Sequence, residues 1–348
     1  MKSEVYNQST CIVSSVAYLY YIEKRSRAEI AEIFGLSPST LSRLLKRAKD
    51  EKIVEIRMAE PYFSCNVMER EIAERFALKN VIVVPVPEKE QEKKGCRKKS
   101  TGRKIRSNQE TTDSREEEIK KQVALEGARY IQRIIKDGDM MGLNWGGTMY
   151  HLIQYLNPCR KVGASIITMH GSIANCDPKL AVKTLVARAA MAFGGRNVSL
   201  TAPGLYDSAE ELNKVRQDPR LKSIFALFEK IDISVSGVGS LYPDFDSLLV
   251  TAGYLSPEEA RMLKEEAAYS DILLRFVDKD GRECDTSLRN RTLSIDMDTY
   301  KKIPCKIIVA SGAKKAMSVL ALLKGGLADV LVIDFELAKQ VLSLAGKE

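Results

Sequence analysis

Short apolar runs alternate with stretches of helical periodicity from residue 139 to the end of the chain, and this alternation strongly constrains the fold. The apolar runs lie at 139–143, 165–169, 231–235, 307–310 and 330–333, and the helical stretches lie at 148–156, 178–193, 256–268, 312–323 and 335–345. Parallel strands need a crossover between them, which is usually a helix. The pattern therefore predicts a C-terminal α/β domain of Rossmann-like type, with a mostly parallel sheet and helices on both faces.

The chain before residue 139 contains further predicted elements of this domain. Residues 80–85 form a β-branched run typical of a buried parallel strand, and helices are predicted at 66–76 and 123–136. Residues 88–118, in contrast, contain almost no apolar side chain and change from a basic block to an acidic one. We expect a charged, disordered loop there, because such a segment buries too little apolar surface to fold. A basic arm that binds nucleic acid is the alternative for this segment.

The segment 27–47 fits a helix-turn-helix at the positions that geometry makes demanding. Ala31 is small where the two helices would cross, and Gly35 allows the left-handed backbone of the turn. Ser37 is a favourable N-cap and Pro38 a favourable first residue of the second helix. We therefore predict an N-terminal, all-α, helix-turn-helix domain.

The second helix of this pair has the composition of a DNA-recognition helix. It contains no acidic residue before Asp50. Polar residues near its N-terminus can reach base edges, while its cationic residues meet phosphates or guanine. Double-stranded operator DNA is the predicted partner, and a basic hairpin that packs on another protein is the alternative. The candidate DNA-binding residues are Ser37, Ser39, Thr40, Ser42, Arg43, Lys46 and Arg47.

The helix-turn-helix domain is expected to span 1–60 and the α/β domain 61–348. Near their boundary, residues 53–58 alternate apolar and charged side chains, which predicts a short strand that forms a minimal wing or pairs within the first domain. The net charge of +8 adds little to the DNA-binding argument, since residues 89–106 supply +7 of it. The prediction of DNA binding therefore depends on the local pattern.

The seven cysteines and two histidines indicate neither a disulfide framework nor a metal centre. The cysteines are odd in number, widely spaced and never arranged as Cys-x-x-Cys. The apolar run 11–22 is too short to span a bilayer and lacks a small-residue cleavage site. We therefore expect a cytoplasmic protein without a metal, a cofactor or a membrane partner.

A glycine-rich loop, Gly142-Leu-Asn-Trp145-Gly146-Gly147-Thr148, follows the run 139–143 and opens a helix. Backbone N–H groups of such a loop can approach an anion, the helix N-terminus adds positive potential, and the threonine can donate its hydroxyl. No Gly-Lys-Ser/Thr follows, so this is not a P-loop. The loop predicts a phosphate site, with a simple tight turn as the alternative.

Other predicted strands also end in glycine-rich turns, which should converge at one edge of the sheet. The candidate residues there are Gly171, Gly237, Gly239, Gly312 and Lys315. Lys315 could neutralise a phosphate, or it could be a solvated lysine on a helix.

These motifs together resemble those of the SorC-type sugar-binding transcriptional regulators of bacteria, over nearly the whole chain. The resemblance is carried by the N-terminal segment Ser37-Pro-Ser-Thr-Leu-Ser-Arg-Leu-Leu-Lys-Arg-Ala48, the Trp145-Gly-Gly-Thr148 loop, Asp232-Ile-Ser-Val-Ser-Gly-Val-Gly239, Ala310-Ser-Gly-Ala-Lys-Lys-Ala316 and Val332-Ile-Asp334. Two family motifs are altered, since Gly-Ala-x-Gly-Asp reads Ala267-Ala-Tyr-Ser-Asp271 and Ala-Gly-Gly reads Ala310-Ser-Gly312. These changes concern the effector and leave the fold expectation intact.

The resemblance implies a large domain similar to sugar-phosphate isomerases and deaminases, retained as a sensor without catalytic residues. It further implies a phosphorylated sugar as effector, Asp271 as a member of the effector site, and a homo-oligomer, dimeric or tetrameric, that binds an operator. Two alternatives remain at this point. One is a sugar-phosphate isomerase or deaminase fused to a DNA-binding domain, with Asp271, Asp334 or His170 as acid or base. The other is an interaction adaptor whose glycine loops are tight turns.

Overall fold

The computed structural model describes residues 9–86, 104–245, 247–251 and 253–347, without the side chains of residues 104–113. The chain divides into two compact units, Met1–Glu60 and Pro61–Glu348. None of the helices described there is long and apolar enough to cross a membrane.

In its described residues, 9–60, the first unit contains three helices, α1 (Thr10–Tyr21), α2 (Arg27–Phe34) and α3 (Pro38–Asp50). Helix α2 ends at Gly35, whose φ of 62° is in the left-handed region that glycine tolerates. Ser37 caps α3, because its Oγ accepts a hydrogen bond of 3.1 Å from the Thr40 N–H. The helices share a core of buried apolar residues: Val13, Val16, Ala17, Ile30, Leu41, Leu44, Leu45 and Ala48.

The predicted strand at 53–58 is wrong. The structure has turns and irregular backbone there, and Ile56 and Met58 are exposed. Alternation over six residues makes a strand only where a partner strand supplies hydrogen bonds, and the described residues of this unit include no strand.

The second unit is built on a seven-stranded parallel sheet in the order β1-β10-β9-β5-β2-β3-β4. Its strands are β1 (Asn80–Val84), β2 (Met140–Leu143), β3 (Ser165–Thr168), β4 (Arg196–Val198), β5 (Ile233–Ser236), β9 (Cys305–Ala310) and β10 (Val330–Asp334). A small antiparallel sheet contains β6 (Gly239–Ser240), β7 (Ser270–Ile272) and β8 (Arg275–Val277). The predicted helical N-terminus followed by an α/β domain with a mostly parallel sheet is confirmed.

Helices cover both faces of the large sheet. Those packed against its strands include α4 (Tyr62–Phe76), α5 (Lys104–Ile134), α6 (Gly147–Gln154), α7 (Val182–Phe193) and α15 (Phe335–Ala345). The unit also contains α8 (Ala209–Arg216), α9 (Pro219–Phe228), α10 (Leu248–Thr251), α11 (Pro257–Glu265), α12 (Ser287–Arg291), α13 (Met297–Lys302) and α14 (Ala316–Lys324). Successive residues of one strand point to opposite faces. In β9, Ile307 and Val309 accordingly join one apolar cluster, while Ile308 and Ala310 join the other.

Helix α5 corrects the predicted loop at 88–118. Residues 88–103 lie outside the described residues, but the chain is helical from Lys104 onward, so the loop prediction is wrong for 104–118. The apolar periodicity used to predict the helix begins near Val123, and a helix can extend beyond it at little cost once nucleated. Side-chain contacts of Glu117 support the end of this added stretch: its carboxylate accepts from Lys120 Nζ at 2.6 Å and contacts His151 Nε2 at 2.5 Å.

Candidate functional site

A cavity of about 460 Å³ lies at the carboxyl edge of the large sheet. Its walls are the segments that follow β2, β5, β9 and β10, together with residues of α5 and of the segment before α10. After β2 the chain continues to β3 on one side, and β5 later pairs with β2 on the other side. The cavity is thus at the point where the strand order reverses, which is where open α/β sheets bind ligands.

Residues 144–148 of the glycine loop form the wall of the cavity at the N-terminus of α6. Gly146 has a φ of 113°, and as the N-cap of α6 it has no side chain to occupy the first N–H groups of the helix. A Cβ built at Gly147 would meet nothing within 4 Å. Thr148 is buried in the first turn. The Trp145 N–H donates to Asn144 Oδ1 at 2.8 Å, a hydrogen bond within the loop that restrains its backbone.

A buried carboxylate forms a second wall. Asp271, on β7, is 5% exposed, and Ser247 Oγ donates to its Oδ1 at 2.6 Å. Burial raises the pKa of Asp271 to about 6, although the Ser247 hydrogen bond and the charge of Lys315 act in the opposite direction. Gly239 pairs with Asp271 across the small sheet, and a Cβ there would overlap the carboxylate. Glycine at 239 therefore leaves the space that this carboxylate fills.

The ends of β9 and β10 complete the site. Gly312 has a φ of 97°, and its N–H donates to Asp334 Oδ2 at 2.7 Å. Asp334 also caps α15, since its Oδ1 accepts from the Leu337 N–H at 3.0 Å. Lys315 Nζ donates to the Val238 carbonyl at 2.9 Å, which ties the β9 turn to the β5 turn.

The structure brings nine of the eleven sequence-predicted effector residues together at this cavity. They are Trp145, Gly146, Gly147, Thr148, Gly237, Gly239, Asp271, Gly312 and Lys315. Gly142 and Gly171 are not among the residues that line it. A Cβ at Gly142 would come within 2.6 Å of Met169 Sδ, and one at Gly171 would overlap the Pro203 carbonyl. Both glycines are explained by close packing.

Part of the cavity lining was not predicted from the sequence. Helix α5 contributes Glu116, Ile119 and Lys120, which fall at or just beyond the end of the predicted loop. The other missed residues are Asn144, Val238, Ser240, Ser247, Leu248, Ser311, Ala313, Lys314, Asp334 and Glu336. Asp334 could have been included, because it directly follows a predicted strand at the same edge. No local signal marks the segment around Ser247 or the turns of α5.

In the first unit, α3 presents a subset of the predicted DNA-binding residues to solvent. Ser39, Ser42, Arg43 and Lys46 are exposed and lie on one face of the helix. Ser37 is exposed and acts as the N-cap, whereas Thr40 is 5% exposed and bonds to Ser37 Oγ at 2.9 Å. Arg47 is half-buried, and its Nε donates to Glu51 Oε1 at 2.6 Å.

Within the described ranges, no group of three or more His, Cys, Asp or Glu residues could hold a metal ion.

Comparisons with known proteins agree with this architecture. The Sugar-bind family model, which describes a sugar-binding domain, matches residues 60–343. The deoxyribonucleoside regulator of Bacillus subtilis (strain 168) is 27% identical over 329 residues, which cover 94% of this chain and 96% of that protein. The sorbitol operon regulator of Klebsiella pneumoniae is 26% identical over 334 residues, which cover 95% of this chain and 97% of that protein.

The crystal structure of the full-length sorbitol operon regulator SorC from Klebsiella pneumoniae has a similar fold. It matches with a TM-score of 0.69 and 26% identity, covering 96% of this chain and 100% of that one. Because the family model matches most of the chain and these similarities extend over nearly all of it, the chain belongs to the family of SorC-type sugar-binding transcriptional regulators.

Proposed function

We propose that this chain is a DNA-binding transcriptional regulator whose operator binding is controlled by a phosphorylated sugar in the carboxyl-edge cavity. The observation that carries the proposal is the convergence of an uncapped helix N-terminus, a lysine and a buried carboxylate around one cavity of about 460 Å³. This volume lies within the roughly 300–1,000 Å³ range of small-molecule sites.

The phosphate is assigned to the α6 end of the cavity. The first N–H groups of a helix attract anions, through hydrogen bonds and through the helix dipole. Gly147 leaves open space for the ligand, and Thr148 offers a hydroxyl donor from the same turn. Lys315 adds a positive charge to the opposite turn.

The sugar hydroxyls are assigned to the Asp271 end. A carboxylate accepts hydrogen bonds from hydroxyl groups, and Ser247, Ser240 and Asn144 are further polar residues of the lining. The cavity therefore pairs a region suited to an anion with one suited to a polyol, as a phosphorylated sugar requires. Free sugars would use the second region alone and should bind more weakly.

The DNA-binding role is assigned to the helix-turn-helix of the first unit. Helix α3 would enter the major groove with Ser39, Ser42, Arg43 and Lys46 facing the DNA. We further propose a cytoplasmic homo-oligomer, dimeric or tetrameric, since symmetric regulators bind palindromic operators with matched half-sites.

We propose that the cavity senses its ligand without converting it. The raised pKa of Asp271 would suit a general base, and this observation favours the isomerase or deaminase alternative. Asp334, however, uses both carboxylate oxygens as backbone acceptors, and His170 does not line the cavity. Incubation of the full chain with the cognate sugar phosphate, followed by product analysis, should show no turnover. Sustained turnover would establish the enzyme instead.

The experiment uses Trp145, the single tryptophan of the chain, which lines the cavity. Titration with a panel of sugar phosphates and the corresponding free sugars should change Trp145 fluorescence for the cognate phosphate and alter operator retention in a gel-shift assay. The variant Gly147→Val should fold normally, because its side chain enters open space, and should lose both responses. A panel without any response in the parent chain would contradict the proposal.

A further inference from the structure

A second cavity, of about 400 Å³, lies at the opposite edge of the large sheet. Among its lining residues, Ile135 comes before β2, Val162 before β3 and Phe193 before β4. It therefore lies at the amino ends of these strands, whereas the effector cavity lies at the carboxyl ends. The two cavities share no described lining residue.

Three arginines line this amino-edge cavity. Arg129 and Arg133 are one turn apart on α5, and Arg160 is on the segment between α6 and β3. Arg129 pairs with Glu126 at 2.6 Å, and the Arg133 guanidinium lies 5.8 Å from the centre of the Tyr130 ring. No aspartate or glutamate is among the described lining residues. Because Glu126 balances the charge of Arg129, the net positive charge of the cavity wall comes from Arg133 and Arg160.

The floor of the cavity is apolar. Ile135, Val162 and Phe193 are all buried there. At the rim, the Asn157 N–H donates to Gln132 Oε1 at 2.7 Å, which holds the segment that carries Arg160 against α5. A cationic wall over an apolar floor suits a ligand with an anionic group joined to a non-polar part.

We propose that the amino-edge cavity binds a small phosphorylated metabolite with a non-polar portion. Guanidinium groups match phosphate oxygens in a bidentate geometry and are always charged. A concave surface with charges of one sign concentrates oppositely charged ligands. The phosphate lies among Arg129, Arg133 and Arg160, and the non-polar portion packs on Val162 and Ile135. Helix α5 contacts both ligands, since its residues 116–120 line the effector cavity and its residues 129–133 line this one.

The test is isothermal titration calorimetry of the full chain with phenyl phosphate as the probe. The parent chain should bind it, and Arg133→Gln combined with Arg160→Gln should weaken binding about tenfold or more, because charge-assisted hydrogen bonds are lost. Arg261→Gln is the matched control: this exposed arginine of α11 lies in neither cavity, and its loss should leave binding unchanged. Circular dichroism of each variant checks that the fold is retained.

A second measurement separates this cavity from the effector cavity. Phenyl phosphate should still bind Gly147→Val with the affinity of the parent, and the double arginine variant should keep the Trp145 response to the cognate sugar phosphate. The proposal is overturned if the parent does not bind phenyl phosphate, if the double variant binds it as tightly as the parent, or if Gly147→Val abolishes the binding. A changed oligomeric state of the double variant with unchanged phenyl phosphate affinity would identify the cavity as an interface between copies, and would also overturn it.

Discussion

Thr148 is the residue at which the phosphate assignment is most directly tested. Thr148→Val keeps the shape of this buried side chain and removes its hydroxyl, so the affinity for the cognate sugar phosphate should fall by about 1–3 kcal/mol if a charged phosphate is the partner. Calorimetry measures the change. Thr184→Val, on α7 and outside the cavity lining, is the matched control and should bind like the parent. Equal affinity of Thr148→Val and the parent would place the phosphate elsewhere.

The glycines show how far single residues could be interpreted from the sequence. Their clustering at strand ends correctly predicts turns at one edge of the sheet, but glycine serves three physical needs that the sequence does not distinguish. Gly146 is needed for a positive φ, Gly147 leaves open space, and Gly142 and Gly171 allow close packing.

His170 should make the stability of the fold depend on pH. It is fully buried, its Nε2 has no partner in the described part of the chain, and burial lowers its pKa to about 4. Below pH 6.5 the unfolded chain binds a proton that the folded chain excludes. The buried histidine should therefore lower the unfolding free energy by about 3 kcal/mol as pH falls from 6.5 to 4. The check is to compare denaturant unfolding of the parent and His170→Gln at several pH values.

Asp271 provides a control of opposite sign. Its pKa of about 6 is above the ordinary value of 3.8, so the folded chain binds the proton more strongly, and the stability from this residue is lost as pH rises from about 4 to 6. The difference in unfolding free energy between the parent and Asp271→Asn should thus change with pH in the direction opposite to that for His170→Gln.

The His170 prediction is contradicted if the unfolding free energies of the parent and His170→Gln change in parallel with pH, because His170 would then titrate normally in the fold.

At the scale of the secondary-structure elements, α3 gives a prediction about DNA affinity. Arg43→Ala and Lys46→Ala remove exposed cations and should each weaken operator binding and lower the slope of log affinity against log salt by about one. Arg47→Ala should have a smaller effect, since Arg47 is half-buried and paired with Glu51. Gel shifts over a range of salt concentrations measure both quantities. An unchanged salt slope in the double variant Arg43→Ala/Lys46→Ala would remove α3 from the DNA interface.

The elements differ in how well their sequences predict them. Strands β9 and β10 are apolar because they are buried on both faces, so their composition identifies them. Strand β4 is a three-residue edge strand without an apolar run, and β6 has two residues, so neither has a sequence signal. The stretch of α5 around Glu117 lacks apolar periodicity, and Glu117 contacts His151 of α6, which a linear pattern does not contain.

At the scale of the whole molecule, each unit has an apolar core of its own. The cluster around Ile30 and Leu44 contains residues of Met1–Glu60, and the two clusters on either side of the large sheet contain residues of Pro61–Glu348. The separate patterns of residues 1–60 and 61–348 predict two domains, but the assembly of the carboxyl-edge cavity depends on long-range strand order. Residues 144–148 and 311–315 meet there because β2, β5 and β9 are neighbours in the sheet.

Separate cores predict that the fragment 61–348 folds without the first unit. It should unfold cooperatively, bind the cognate sugar phosphate with the affinity of the full chain, and lose operator binding. Because bound ligand stabilises the folded state, a concentration of 100 times Kd should add about 2.7 kcal/mol to the unfolding free energy of both chains. Calorimetry gives the affinities, denaturant unfolding with and without ligand gives the stabilisation, and gel shifts give DNA binding. If the fragment folds but its affinity is lower by about tenfold or more, the first unit contributes directly to the effector site, and the cavity described by the second unit alone is incomplete.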